Sequence, residues 1–392
     1  MNIEQLRLEV TDELTTHILP FWMNNMIDRK RGGFYGQMSG EGMLVPYSPK
    51  GAVLNARILW TFSAAYRRLD NPAYLETATR AKDYFLRHFI DKRGGVFWSL
   101  TYKGLPYNTK KQIYAIAFAI YGLAEYYLAT RDEESLAAAI RLYKDVERHS
   151  FDADANGYIE ACSRNWLPLF DMRLSERDAN DCFTMNTHLH LLEAYTALYR
   201  IWRNKRLGER LCNLIDIFTT RIIHPQTAHL QLFFDKDWNS TRPVISYGHD
   251  IEASWLLCEA ASALSPKLLS ELLPTACRIA HAADEGLTSD GALCYETNTD
   301  TGCTDADHHW WVQAENVTGH YNLYRYTGDE DALQKAFAAW EYIKNHLIDR
   351  QKGEWFWSIR ADGSVNTVDD KAGLWKCPYH NGRMCMEFIH SV

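Results

Sequence analysis

Three features of the sequence predict an all-α fold, an (α/α)6 barrel: a six-hairpin toroid with short β-hairpins or loops at one mouth. A loop motif recurs six times, two kinds of helical segment alternate between its copies, and the 392 residues suit one repetitive architecture better than several unrelated domains. A single catalytic domain over residues 1–392 is therefore expected.

The loop motif is clearest at Asp28, where DRKRGGFY is echoed by DKRGGVFW from Asp91, DADANGY from Asp152 and DRQKGEWFW from Asp349. Degenerate copies lie at His224 to Phe234 and Asp284 to Tyr295. Their spacing of about sixty to seventy residues is that of a repeat protein.

Each copy follows an amphipathic segment with apolar residues at three- and four-residue spacing and charges between them. These outer segments are Ile3 to Met26, Pro72 to Phe89, Glu133 to Ser150, Lys205 to Ile222, Pro266 to Ala283 and Glu330 to Leu347. Between them lie segments that are apolar nearly all round: Ala52 to Tyr66, Ile113 to Ala129, Asn186 to Tyr199, His249 to Leu264, Trp311 to Tyr326 and His380 to Ile389. Helices hydrophobic on every side are buried, so these form the inner ring. Regular alternation makes the inner helices parallel, and their positive N-terminal ends gather at one mouth, suited to stabilising an oxyanion.

Composition narrows the partners. A net charge of −8 and the lack of clustered Lys and Arg argue against nucleic acid. The stretch Ile113 to Ala129 is interrupted by Glu125 and falls short of a membrane span, so no membrane partner is expected. MNIEQLRLEV does not read as a secretory signal, and nine Cys without a CxxC pair read as reduced thiols, which together predict a cytoplasmic location. Thirteen Trp and 22 Tyr suit stacking on sugar rings as well as a large helical core. The expected partner is a small-molecule substrate, bound by a monomer or weak homodimer.

Chemistry-bearing residues cluster at the inner N-termini. They are Arg57 on the first inner helix, Tyr114 on the second, Asn186, His188 and His190 on the third, His249 and Glu252 on the fourth, Trp311 and Glu315 on the fifth, and His380 in WKCPYHNGRMC. Glu252 lies three residues after His249, so its carboxylate is placed to bond that imidazole and fix its tautomer. His190, two residues beyond His188, points elsewhere on a helix and reads as structural, while Tyr114 reads as a core tyrosine within reach of a sugar. His308 and His309 read as entry lining. No spacing matches a metal signature, so no metal is expected. Imidazoles and an arginine without an obvious nucleophile suit proton transfer alpha to a carbonyl through an enediolate. An inverting glycoside hydrolase drawing on Asp250, Glu252 and Glu315 is the rival enzyme class. A sugar-binding module would use the Trp residues but not the histidines.

The blocks Asn55 to Arg57, NTHLH at Asn186 to His190, YGHDIEASWL from Tyr247, WWVQAE from Trp310 and WKCPYHNGRMC from Trp375 resemble those of the N-acylglucosamine 2-epimerase superfamily. The last block is most similar to its cellobiose 2-epimerase branch, and the resemblance spans essentially the whole chain. It implies cofactor-free, reversible epimerisation at carbon 2 of the reducing-end glucose of β-1,4-linked disaccharides such as cellobiose, lactose or mannobiose. It further implies that His249 and His380 are the acid/base pair and that His188 and Arg57 hold the enediolate oxygens. Glu252 and Glu315 would then support the histidines, with Trp311 and Trp375 as sugar platforms. Monosaccharide epimerases and mannose isomerases are the nearer alternatives, and Trp375 favours a second sugar.

Overall fold

The computed structural model describes residues 1–176 and 178–389. In chain order the helices are α1 (Ile3–Asp12), α2 (Leu19–Asn25), α3 (Ala52–Leu69), α4 (Pro72–Tyr84), α5 (Ile113–Thr130), α6 (Glu133–His149), α7 (Met185–Ile201), α8 (Lys205–Ile217), α9 (Tyr247–Leu264), α10 (Pro266–Ala283), α11 (Trp310–Thr327), α12 (Glu330–Tyr342) and α13 (His380–Glu387). A π-helical turn, Glu13–Ile18, joins α1 to α2 into the first outer rod, and similar turns extend α4, α8 and α12.

The inner helices α3, α5, α7, α9, α11 and α13 each pack on the next, and α13 packs back on α3, which closes the ring. The outer rods cover them, with α4 on α3, α6 on α5, α8 on α7, α10 on α9, α12 on α11 and α1 on α13. This arrangement is the (α/α)6 barrel. By length and composition α5 could cross a membrane, at mean hydropathy 1.3, but 72% of it is buried inside the barrel.

The loop motif becomes a tight antiparallel hairpin after every outer rod, bridged at Ile27 and Phe34, Ile90 and Val96, Phe151 and Tyr158, Ile223 and Leu230, Leu287 and Leu293, and Ile348 and Trp355. The leading Asp of the motif closes its turn. Asp28 Oδ1 accepts from the amides of Lys30 and Arg31 at 3.1 and 3.0 Å, and Asp349 Oδ1 from those of Gln351 and Lys352 at 3.0 Å. The paired glycines answer a left-handed backbone, with φ of 83° and 61° at Gly32 and Gly33 and of 87° and 63° at Gly94 and Gly95.

A second set of short strands leads into the inner helices and pairs with the following repeat. Lys50–Gly51 pairs with Ser99–Leu100, Lys111–Gln112 with Ala161–Cys162, Phe183–Thr184 with Phe233–Phe234, Val244–Ser246 with Glu296–Asn298, and His308–His309 with Ser358–Ile359. Met38 bridges Ala372 and completes the circle. The hairpins therefore collar one mouth, at the N-termini of the inner helices. Ala52, Ile113, Met185 and Trp310 spend their amides on carbonyls of the neighbouring hairpin, those of Trp98, Glu160, Leu232 and Trp357.

Candidate active site

Helical periodicity decides what faces the barrel axis. Counting from the start of α3, α5, α7, α9 and α11, the sixth residues are Arg57, Phe118, His190, Glu252 and Glu315. The ninth are Trp60, Tyr121, Glu193, Trp255 and Thr318. Spacings of three and four keep a residue on one face, so the second, sixth and ninth positions form one inward stripe. The contacts follow it: the Arg57 guanidinium lies 4.1 Å from the Phe118 ring centre, Phe118 is 4.7 Å from His190, and Trp60 stacks on Tyr121 at 5.2 Å.

The fourth positions point the other way, into the hairpin collar. His188 Nε2 accepts the Tyr158 amide at 3.0 Å, Asp250 Oδ1 the Leu230 amide at 2.8 Å, and Gln313 Oε1 the Leu293 amide at 2.8 Å. This corrects the expectation for His188. Its Nδ1 faces the Thr184 carbonyl at 2.7 Å, so both ring nitrogens serve the backbone, and burial pushes its pKa down to about 4. It is a neutral structural clamp with no nitrogen left for an enediolate oxygen. The histidine on the inward stripe is His190, expected to be structural. Its Nδ1 lies 2.9 Å from Glu193 Oε2, and its ring meets Tyr114 edge-on at 5.0 Å.

His249 and His380 both contact Trp311, with ring centres 4.7 and 5.7 Å from the indole. Glu315 Oε1 faces His380 Nδ1 at 2.7 Å. A carboxylate only accepts, so the hydrogen sits on Nδ1 and the Nε2 lone pair is free to act as a base. His249 Nδ1 faces Ser246 Oγ at 2.8 Å. The expected bond from Glu252 to His249 is absent, because that carboxylate turns to Arg383 Nη2 at 2.7 Å. Burial, then the nearby His190, pushes the pKa of His249 down to about 3. Burial, then Arg57 and Arg383, holds His380 well below the usual imidazole range. Burial therefore favours the neutral form of both imidazoles in the free protein.

Arg57 is fixed from three sides: it donates to the Tyr114 hydroxyl at 2.8 Å and the Trp375 carbonyl at 3.3 Å, and its guanidinium lies over Tyr379 at 4.8 Å. Tyr114 is 4% exposed and 6.0 Å from the Trp375 ring, which in turn is 5.8 Å from Trp98. Asn186, Trp311 and Trp375 are only partly buried, and the Asn186 Oδ1 has no hydrogen-bond partner in the protein. His309 stacks on Tyr295 at 4.0 Å in the collar, and His308 Nδ1 meets the Tyr342 hydroxyl at 2.5 Å, so neither sits with the histidines around Trp311.

Beneath the histidines lies Arg383, which sequence reasoning missed. Its Nη2 bonds Glu252 at 2.7 Å and Glu315 at 2.6 Å, and its Nη1 bonds Glu193 and the Tyr379 hydroxyl. One guanidinium thus answers three buried carboxylates. The imbalance shows in Glu252, which burial and then the charge of Glu315 push up to about 7. Burial alone would raise Glu193 as well, but Arg383, His190 and Tyr379 outweigh it and hold it below its usual value. Two signals in the sequence pointed to this cluster: an arginine one turn after His380, and glutamates on helices otherwise apolar all round.

Glu252, Glu315 and His380 bring three potential metal-ligand atoms within 4.8 Å of one another. The Arg383 guanidinium already supplies the positive charge there, so a divalent cation would face its repulsion. The same pairing weakens the hydrolase alternative. Glu252 and Glu315 are tied to one arginine, and Asp250 points to the collar, whereas inverting hydrolysis needs two opposed carboxyl groups.

Comparison with known proteins agrees with this geometry. The family described as N-acylglucosamine 2-epimerase (GlcNAc 2-epimerase) matches residues 33–382. The chain is 60% identical to the cellobiose 2-epimerase of Bacteroides fragilis, over 98% of this chain and 99% of that one. It is 41% identical to the cellobiose 2-epimerase of Ruminococcus albus, over 97% of each. The solved structure of cellobiose 2-epimerase from Bacillus thermoamylovorans superposes with a TM-score of 0.94 at 41% identity, covering 98% of this chain and 99% of that one. The chain therefore belongs to the N-acylglucosamine 2-epimerase family and is a carbohydrate epimerase.

Proposed function

We propose that the protein epimerises carbon 2 of the reducing-end glucose of β-1,4-linked disaccharides such as cellobiose, reversibly and without metal or cofactor. The observation that carries the reading is the pair of imidazoles, His249 and His380, that share ring contact with Trp311, each with Nδ1 engaged. Once the hemiacetal of the reducing sugar has opened, the Nε2 of one takes the proton from carbon 2. The C–H electrons form the carbon 1–carbon 2 double bond, and the carbonyl electrons pass to oxygen 1. The other imidazole, protonated from solvent as the enediolate charge develops beside it, returns that proton to the opposite face of carbon 2; the carbonyl reforms, and the first imidazole releases its proton to solvent. Arg57, held by Tyr114 and the Trp375 carbonyl, supplies a preorganised cation for the enediolate oxygens. Trp375 and Trp98 give the second sugar an aromatic platform. The names carried by the relatives of 60% and 41% identity favour a disaccharide over a monosaccharide.

The test is incubation with cellobiose in heavy water after chelation, followed by NMR. Glucosyl-mannose carrying deuterium at carbon 2 is the expected product. Free glucose would overturn the reading in favour of hydrolysis. Inertness to cellobiose with turnover of mannose or N-acetylmannosamine would move the substrate to the monosaccharides.

A further inference from the structure

The collar is tied to the lead-in strands and inner helices by buried clamps of different chemistry. On the strands before α3 and α5, and on the segment before α13, the clamp is a Lys–Asp pair: Lys50 to Asp28 at 2.9 Å, Lys111 to Asp91 at 2.8 Å and Lys371 to Asp349 at 2.6 Å. On α7 it is neutral His188, and on α11 the amide of Gln313, which also donates to the Leu293 carbonyl at 2.7 Å. The clamp of α9 differs. Asp250, fully buried and adjacent in sequence to His249, accepts the Leu230 amide at 2.8 Å and faces His229 Nδ1 at 2.7 Å. His229 is 4% exposed, and its Nε2 faces Glu285 Oε2 at 3.3 Å. A further titratable neighbour is Tyr247 of α9, ring to ring at 6.1 Å.

We propose that His229 is a positioning residue for His249, acting through Asp250, and that its proton gives the reaction an alkaline limit. The inference rests on His249 serving as an acid/base group. A protonated His229 balances a carboxylate that has no access to water. A neutral one leaves that charge uncompensated and loosens the first turn of α9, which carries His249. Burial alone would lower the pKa of His229, but the bond and charge of Asp250, then Glu285, outweigh it and hold the proton above the usual imidazole range. A raised folded-state pKa means that the tie is complete below the ordinary value and is lost as pH rises through the folded one. Activity should therefore fall on the alkaline side as His229 deprotonates.

The experiment is kcat and KM against pH for the full chain and for two variants. His229→Gln keeps a donor to Asp250 without a titrating charge, so kcat should drop about tenfold near neutrality, with KM little changed and the alkaline limb of His229 gone. Glu285→Gln removes a carboxylate that is 64% exposed, and should move the limb to lower pH by roughly 0.2–0.7 pH units. A limb unmoved in Glu285→Gln overturns the proposal even where His229→Gln fails to fold. A wild-type protein that exchanges the carbon 2 hydrogen with such an unmoved limb refutes only this inference; one that exchanges no hydrogen there refutes the epimerase reading itself.

Discussion

Replacing Arg383 by Met removes the one cation that bonds Glu193, Glu252 and Glu315 while keeping a side chain of similar length. Breaking a buried ion pair by deleting one partner costs about 3–5 kcal/mol, because the remaining charge stays buried. The cost must depend on pH. In the wild type Arg383 helps hold Glu193 below its ordinary pKa; without it only His190 and Tyr379 still oppose burial there and its pKa moves up, while Glu252 and Glu315, already above their unfolded values, rise further. A carboxyl raised in the folded state is not penalised below the unfolded pKa and destabilises increasingly as pH climbs through the folded one. Urea denaturation at pH 5.5 and 8 should therefore show a deficit near the full 3–5 kcal/mol at pH 8 and a clearly smaller one at pH 5.5. The variant should also lose activity, since Glu315 orients His380. A deficit below about 1 kcal/mol at pH 8, or one that is flat with pH, would show that lost packing rather than uncompensated charge accounts for the change.

Glu252→Gln keeps an acceptor for Arg383 and removes a carboxyl lifted from 4.5 to about 7, a difference worth about 3 kcal/mol once both states are ionised. Relative to wild type the variant should gain stability as pH rises from 5 to 8, and a gap constant across urea titrations in that range would sink the assignment. Gly248→Ala places a Cβ 2.7 Å from the Trp311 ring, so the indole that contacts both His249 and His380 must shift. Tryptophan emission should change and kcat fall, although alanine suits a helix better than glycine by about 1 kcal/mol. His188→Ala should cost about 2–4 kcal/mol in denaturation by orphaning the buried Tyr158 amide and opening a cavity. His190→Ala should instead fold and lose roughly 100-fold or more in kcat, and equal effects on activity from the two variants would refute the assignment of inward and outward faces.

Much of the fold was legible because its signals are local. The Asp and Gly-Gly of the loops at Asp28 and Asp91 encode a turn closed by a carboxylate and a left-handed backbone, which any short window shows. The inner segments were found within a few residues of their ends, since α5 at Ile113–Thr130 and α9 at Tyr247–Leu264 are apolar on every side. That same uniformity hides the facing. A helix hydrophobic all round carries no stripe to say which side meets the axis, so the facing of His188 and His190 was settled only by the collar, which takes the fourth positions of α7, α9 and α11.

The pairing of Glu252 failed for a related reason. Three-residue spacing permits a contact with His249 but does not oblige it, and a guanidinium from 131 positions along the chain offers a charge-assisted bond instead. The sequence by itself determined the repeat, the alternation of buried and amphipathic helices, and the end of the barrel at which the inner N-termini gather, because these follow from periodicity and turn chemistry within each segment. Only the tertiary structure decided which histidine enters the cavity and which carboxylate answers which cation. Those choices depend on the rotation of each helix about its own axis and on the closure of α13 against α3, which no segment specifies alone.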